Sequence, residues 1–166
     1  MQDTVADKPG RLVPVDCLPV IIGEPQPFAS RGGLKLDHAL KQFRVLLSGK
    51  IAIDVGASTG GFTDCLLQKG AEKVYAVDVG YGQLAWKLRS DPRVICLDRK
   101  NARTLSKEDI GERLDLAVVD VSFISLKLVI PPLLEILKPE GELITLVKPQ
   151  FEVGKEEVEN RGIIKD

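Results

Sequence analysis

Asp120 and Lys148 each close an apolar run of the kind that makes a buried strand: Ala-Val-Val-Asp-Val-Ser-Phe and Ile-Thr-Leu-Val-Lys-Pro-Gln-Phe-Glu. On adjacent parallel strands the carboxylate and the amine would share one sheet edge, a few ångströms apart. An amine held beside an acid can orient a hydroxyl or take its proton, provided burial or a second cation lowers its pKa. Lys35, in Ser-Arg-Gly-Gly-Leu-Lys-Leu, is a candidate for that cation. The plainer alternatives are a structural salt bridge for the pair and a solvated surface position for Lys35.

A second constellation points to a ligand that carries a nucleoside. Residues 51–63, Ile-Ala-Ile-Asp-Val-Gly-Ala-Ser-Thr-Gly-Gly-Phe-Thr, read as a strand ending in Asp54 and a turn that opens a helix. Gly56, Gly60 and Gly61 let the backbone approach a ligand, because no Cβ stands in the way. The dinucleotide fingerprint Gly-x-Gly-x-x-Gly would need glycine at Ser58. The spacing is instead Asp-x-Gly-x-x-x-Gly, the form found where S-adenosylmethionine (SAM) binds. Asp78 ends another strand, Lys73-Val-Tyr-Ala-Val-Asp, 22 residues past Gly56. In doubly wound folds an acid at about 20 residues grips ribose hydroxyls, and a carboxylate can accept from both at once.

These groups need a scaffold that brings strand ends together. From Ser30, a candidate N-cap, the pattern predicts a helix over 32–47, with Leu36, Leu40, Phe43 and Leu47 on one face. Strands and helices then alternate: strands 51–54, 74–78, 94–97, 114–120 and 142–147, with helices over 61–69, 84–89, near 106–110 and over 125–137. The strands are apolar without alternation, as a sheet covered on both faces requires. The expected fold is α/β, Rossmann-like, with a mostly parallel doubly wound sheet and ligands at the C-terminal strand ends. Polar residues stand at every predicted strand end: Asp54, Asp78, Asp98, Asp120 and Lys148. Residues 1–29 hold five of the ten prolines and read as an arm without a core.

Composition narrows the classes. A chain of 166 residues suits one domain, and a net charge of −1 gives it no overall electrostatic footprint of a nucleic-acid binder. Cys17, Cys65 and Cys96 have no metal-type spacing, which fits a reducing cytosol and gives no expectation of a metal. The first residues lack the apolar core of a signal peptide, and Asp120, Lys127, Pro131 and Pro132 interrupt the most apolar stretch, 114–137. A soluble, cytoplasmic protein with no membrane partner is expected.

The segments Ser30-Arg-Gly-Gly-Leu-Lys-Leu, Asp54-Val-Gly-Ala-Ser-Thr-Gly-Gly-Phe-Thr, Val77-Asp-Val-Gly-Tyr-Gly-Gln-Leu-Ala-Trp, Asn101-Ala-Arg, Asp120-Val-Ser-Phe-Ile-Ser and Lys148-Pro-Gln-Phe-Glu occur in this order. Together they resemble the TlyA family, haemolysin-A-like proteins related to the FtsJ-type ribose 2′-O-methyltransferases. The likeness runs from about Asp7 to the last residue. It implies a SAM-dependent methyltransferase acting on a ribose 2′-hydroxyl of ribosomal RNA, with ribosomal RNA or a ribosomal subunit as partner. It also implies a Lys-Asp-Lys-Glu catalytic set, whose first three members match Lys35, Asp120 and Lys148. The glutamate would lie downstream of Asp166, and Glu152 does not match it. On this reading, residues 1–29 are the tail of a small RNA-binding domain. Residues 30–166 are then a methyltransferase domain whose last strands lie further along.

The expected site has Asp54, Gly56, Ser58, Gly60 and Phe62 shaping the SAM pocket and Asp78 on its ribose. Asp98 and Asn101 flank the adenine, and Asp120 lies near the sulfonium. Lys148 would orient or deprotonate the hydroxyl, steered by Lys35 and Asp120. Arg31 and Lys35, with Lys155 and Arg161 as weaker candidates, would contact RNA phosphates. Tyr81 is a candidate wall of the pocket, Trp86 reads as core, and His38 as helix surface. Three rivals stand beside this reading. A methyltransferase for a small molecule or protein would rarely need a lysine base. A non-catalytic or truncated SAM- or RNA-binding module stays open because the family's glutamate is not among these residues, whereas nothing amphipathic or membrane-spanning supports a haemolysin. A dehydrogenase would use Asp78 but lacks the glycine spacing.

Overall fold

The computed structural model describes residues 12–18, 20 and 26–153. Five parallel strands, β1 (Ile51–Val55), β2 (Lys73–Val77), β3 (Val94–Leu97), β4 (Leu114–Val119) and β5 (Leu137–Thr145), form one sheet in the order β3-β2-β1-β4-β5. The helices are α1 (Gly32–Phe43), α2 (Gly61–Gln68), α3 (Trp86–Arg89), α4 (Lys107–Ile110) and α5 (Leu126–Ile136). The chain winds outward from β1 to β3, then crosses back to β4 on the other side of β1. That reversal opens a crevice beyond the C-terminal ends of β1 and β4.

Both faces of the sheet are covered, which is why the strands are apolar throughout. Ala52, Val74, Ala76, Leu116 and Val118 point to one side, where Leu36 and Leu40 of α1, Phe62 and Leu66 of α2 and Leu88 of α3 pack on them. Ile53, Val55, Val77, Ala117 and Val119 point to the other, against Ile110 of α4 and Leu126, Val129, Leu133 and Ile136 of α5. Truncating a fully buried side chain such as Leu133 to alanine would cost about 2–5 kcal/mol.

The expected elements are present, and four details differ. α1 ends at Phe43 because Arg44 turns left-handed (φ 56°) and the Val45 N–H donates back to Leu40 O at 3.0 Å. Leu47 is still buried, carried in by the following loop, but Phe43 is 68 % exposed. Ser30 does not cap α1: Arg31 holds that position in helical conformation, and Ser30 Oγ accepts from the Gly32 N–H at 3.3 Å. Trp86, expected in the core, is 79 % exposed, because the apolar side chains of this turn that enter the core are Leu84 and Leu88. β5 begins at Leu137, earlier than the sequence pattern predicts, but its pairing with β4 shifts register between Leu137 and Glu142 before running regularly to Thr145. His38 is exposed.

Candidate active site

The loop after β1 is shaped by its glycines and by bonds to β2. Gly56 (φ 86°) donates its N–H to Val77 O at 2.9 Å, and a Cβ on it would lie 2.4 Å from the Asp120 carbonyl oxygen. Only glycine lets the ends of β1 and β4 meet this closely. A Cβ on Gly61, which opens α2, would lie 2.2 Å from Ser30 Oγ and 2.9 Å from Gly33 N. The start of α1, and with it Lys35, is thereby held against the cofactor-type loop. Gly60 caps α2 in left-handed conformation, φ 96°, with Leu84 and Leu88 over it.

Asp78 stands just past β2 and ties two loops together. Its Oδ2 accepts from the Ser58 N–H and its Oδ1 from the Gly80 N–H, each at 2.8 Å. Each oxygen keeps a second lone pair for a ligand.

The predicted acid–amine set assembles. Lys148 Nζ lies 2.6 Å from Asp120 Oδ1, and Lys35 Nζ lies 3.7 Å from Asp120 Oδ2. Lys148 also donates to Ser122 Oγ at 2.9 Å. Lys148 reaches this point from the turn after β5, where it precedes the short helical turn Pro149–Phe151. The carboxylate of Asp120 is thus bracketed by two ammonium groups from opposite sides.

Two cavities meet at this cluster. One, about 680 Å³, is lined by Arg31, Lys35, Phe62 and the loop 56–59, with Asp120 and Lys148 at its floor. The other, about 470 Å³, is lined by Asp78, Val79, Gln83, Asn101 and residues 120–124. Gly56, Ser58, Asp120 and Ser122 belong to both. A ligand in the second cavity would therefore reach into the first beside Asp120.

Several expected residues stand elsewhere than in a cavity wall. Asp54 is buried beneath the loop, and its Oδ2 accepts from Thr63 Oγ1 at 2.7 Å. Burial pushes its carboxyl up to about 7. Asp98 is ion-paired to Arg89, which holds its carboxyl below the ordinary value, and it accepts weakly from the Gly82 N–H at 3.4 Å. It braces the 79–85 loop and is not among the residues lining the second cavity. Asn101 does line that cavity, but its Oδ1 already accepts from the Arg103 N–H at 3.0 Å. Tyr81 is 69 % exposed under the Arg99 guanidinium, 4.5 Å from the ring centre. Glu152 is used in capping α5, accepting from Ser125 Oγ at 2.7 Å and the Leu126 N–H at 2.8 Å. Lys155 and Arg161 lie outside the described residues.

Ser122, Gln83 and Phe123 line the site without having been singled out by sequence. Ser122 carried a readable signal, since it follows Asp120 by two residues at a strand end. Phe123 did not: it is 91 % exposed, left-handed (φ 64°), and packs on Phe151 at 5.2 Å between ring centres.

Residues 28–166 match the FtsJ-like methyltransferase family. The chain belongs to that family. It is 51 % identical over 149 residues to the 16S/23S rRNA (cytidine-2′-O)-methyltransferase TlyA of Mycobacterium tuberculosis, covering 90 % of this chain and 56 % of that protein. Hemolysin A of Brachyspira hyodysenteriae is 46 % identical over 140 residues, 84 % of this chain and 58 % of the relative. A crystal structure described as that of a hemolysin candidate from Lactococcus lactis superposes with a TM-score of 0.82 at 52 % identity, covering 86 % of this chain and 68 % of the other. The resemblance to the TlyA family read from the motifs is thereby established, and with it the Rossmann-like methyltransferase fold. SAM is the cofactor class of such a domain. The FtsJ-like domain spans little more than half the length of the curated relatives it matches.

Proposed function

We propose that this FtsJ-like domain transfers a methyl group from SAM to a ribose 2′-hydroxyl of ribosomal RNA. The observation that carries the reading is the Lys35–Asp120–Lys148 cluster at the junction of the two cavities. One cavity is suited to the adenosine of the cofactor, with Asp78 toward its ribose and Asn101 at its far wall. The other, floored by Lys148 and edged by Arg31 and Lys35, is suited to the ribose and phosphates of an RNA chain.

SAM supplies an electrophilic methyl group on a positively charged sulfur. Among the residues of this chain, Asp120 favours that charge and fixes the Lys148 ammonium with one oxygen. Lys148 faces the incoming hydroxyl, orients it and, acting as the free amine, accepts its proton while the oxygen–methyl bond forms and the sulfur–methyl bond breaks, leaving an ammonium held by Asp120. Lys35 holds the other Asp120 oxygen, so the carboxylate cannot rotate away. Alignment and local charge supply most of the acceleration in a transfer of this kind. The cytoplasm, where ribosomes are assembled, is the location this reading requires. The family's glutamate and the strands that would carry it are proposed to follow Asp166, and residues 1–29 to be the trailing segment of an RNA-binding module. Methylation of an amine rarely needs a lysine base, and the Gly56–Gly60 spacing with Ser58 between does not suit a dinucleotide.

The test is labelled methyl transfer from SAM to ribosomal subunits, followed by alkaline digestion of the RNA. Label retained in alkali-resistant dinucleotides is expected, because a methylated 2′-oxygen cannot attack the neighbouring phosphate. Label confined to protein, or to bases released as ordinary mononucleotides, would overturn the assignment.

A further inference from the structure

Asp54 is the acid that the mechanism above leaves without work. Its carboxyl group is 0 % exposed, and Thr63 Oγ1 is its hydrogen-bond partner on Oδ2. Its other oxygen, Oδ1, is buried and has no partner among the described residues. A buried carboxylate held only by Thr63, with its other oxygen unpartnered, is poorly solvated, so burial favours the neutral acid. Asp54 pairs in register with Ala76 of β2 and Val118 of β4, two residues before Asp78 and Asp120. The period of a strand therefore carries all three acids toward the same sheet face, at the edge where the cofactor-type loop turns. Asp78 and Asp120 add to the bias against ionising Asp54, after burial itself. Lys35 and Lys148, the lysines of this sheet edge, are engaged with Asp120.

We propose that Asp54 discriminates cofactor from product by charge: it is a neutral acid in the free protein and ionises when SAM enters, so SAM binds with release of a proton. SAM carries one net positive charge and S-adenosylhomocysteine carries none, because the sulfonium becomes a thioether on methyl transfer. Their amino and carboxyl groups are otherwise the same. Entry of the cation favours ionised Asp54. After transfer the charge is gone, Asp54 takes up a proton again, and the product is held less firmly. The proton balance closes over the cycle: the fraction of a proton that leaves Asp54 as SAM binds returns as product forms, and the proton of the methylated hydroxyl is released separately. This rests on the SAM-binding reading given above and adds to it a role for a residue that touches no cavity. Asp54 acts through the loop above it, as a positioning and selectivity residue.

The experiment is calorimetric titration of the chain with SAM and with S-adenosylhomocysteine, in buffers of low and high ionisation enthalpy, from pH 6 to 8. For SAM the observed heat should vary with the buffer, reporting proton release near pH 7. The heat for S-adenosylhomocysteine should vary less. SAM affinity should rise about fivefold over that range if the carboxyl shifts by about one pH unit, with a smaller rise for the product. In Asp54→Asn the difference in proton release between the two ligands should vanish, while the preference of Asp120 for the charged cofactor remains. Carboxyl carbon NMR of the unmodified chain, with and without SAM, reads the same ionisation without any substitution. Equal proton release for both ligands, or an unaltered difference in Asp54→Asn, would overturn the proposal while leaving SAM binding intact. No saturable heat with either ligand would defeat the cofactor reading itself.

Discussion

The two ends of the sheet treat charge in opposite ways. At the N-terminal end three lysine–carboxylate pairs form one to one. Lys73 meets Glu112 at 2.7 Å, Lys138 meets Asp115 at 2.6 Å, and Lys50 meets Glu142. Glu112 also accepts from the Tyr75 hydroxyl at 2.6 Å, and Asp115 from the Ile51 N–H at 2.9 Å. At the C-terminal ends of β1, β2 and β4 the charges converge without cancelling pair by pair. One carboxylate serves two lysines, another braces two loops, and a third is buried with an oxygen to spare. Saturated pairs near the surface hold strand starts in register and contribute little each. Shared or unsatisfied groups are costly to bury, and they persist where a ligand can complete them. The contrast locates function at one edge of a sheet that both edges stabilise.

Substitutions at the two ends should separate accordingly. The largest effect is expected for Lys148→Ala, which should lower methyl transfer to ribosomal RNA by about a thousandfold or more. SAM affinity, read by titration, should stay within about threefold, since the loop and Asp78 are untouched. Gly56→Ala comes next. Its new methyl would meet the Asp120 carbonyl at a φ of 86°, so denaturant unfolding should show a loss of about 2–4 kcal/mol. SAM binding should weaken with it, because the same displacement disturbs the floor of both cavities.

Changes in pH sharpen the comparison. Asp54 has a raised folded pKa of about 7 against an ordinary 3.8, so the unfolded chain releases this proton first. That makes the folded state lose stability as pH rises from about 4 to 7, by up to a few kcal/mol. Asp54→Asn should remove that slope, seen as a smaller fall in melting temperature between pH 5 and 8. Glu112 runs the other way. Its hydrogen bonds from Lys73, first, and Tyr75 hold its carboxyl below the ordinary 4.5, so its contribution is present above that value and lost as acid protonates it. Glu112→Gln should therefore cost under about 1 kcal/mol at pH 7, and progressively less as acid protonates the carboxyl below its ordinary range. Methyl transfer should be unchanged in this variant, and a fall in it would break the division between the two ends.

Much of the ligand edge is legible in the sequence. An apolar run that ends in a carboxylate or an amine states its own direction: the run is buried in the sheet, so the polar residue must emerge at the end. Asp78, Asp120 and Lys148 all emerge in this way, and the glycine spacing marks the loop between them. Asp54 and Asp98 end strands with the same local pattern but stand apart from the cavities. One is roofed over by α2 and the other claimed by Arg89, each through a partner nine residues away whose approach depends on how the intervening turn folds. Trp86 and Phe43 mislead because an aromatic at helical spacing reads as core. A neighbouring leucine fills the space in one case, and a left-handed residue ends the helix in the other.

The sequence by itself determined which strands form, that they run parallel, and which residue types reach the ligand edge, because hydrophobic burial and glycine's lack of a side chain act locally. Only the tertiary structure decided which charges meet. Lys35 precedes Asp120 by 85 residues and Lys148 follows it by 28, so their shared contact depends on strand order. Whether a carboxylate is a ligand, a brace or a buried acid depends on what is packed above it, and that is a property of the fold.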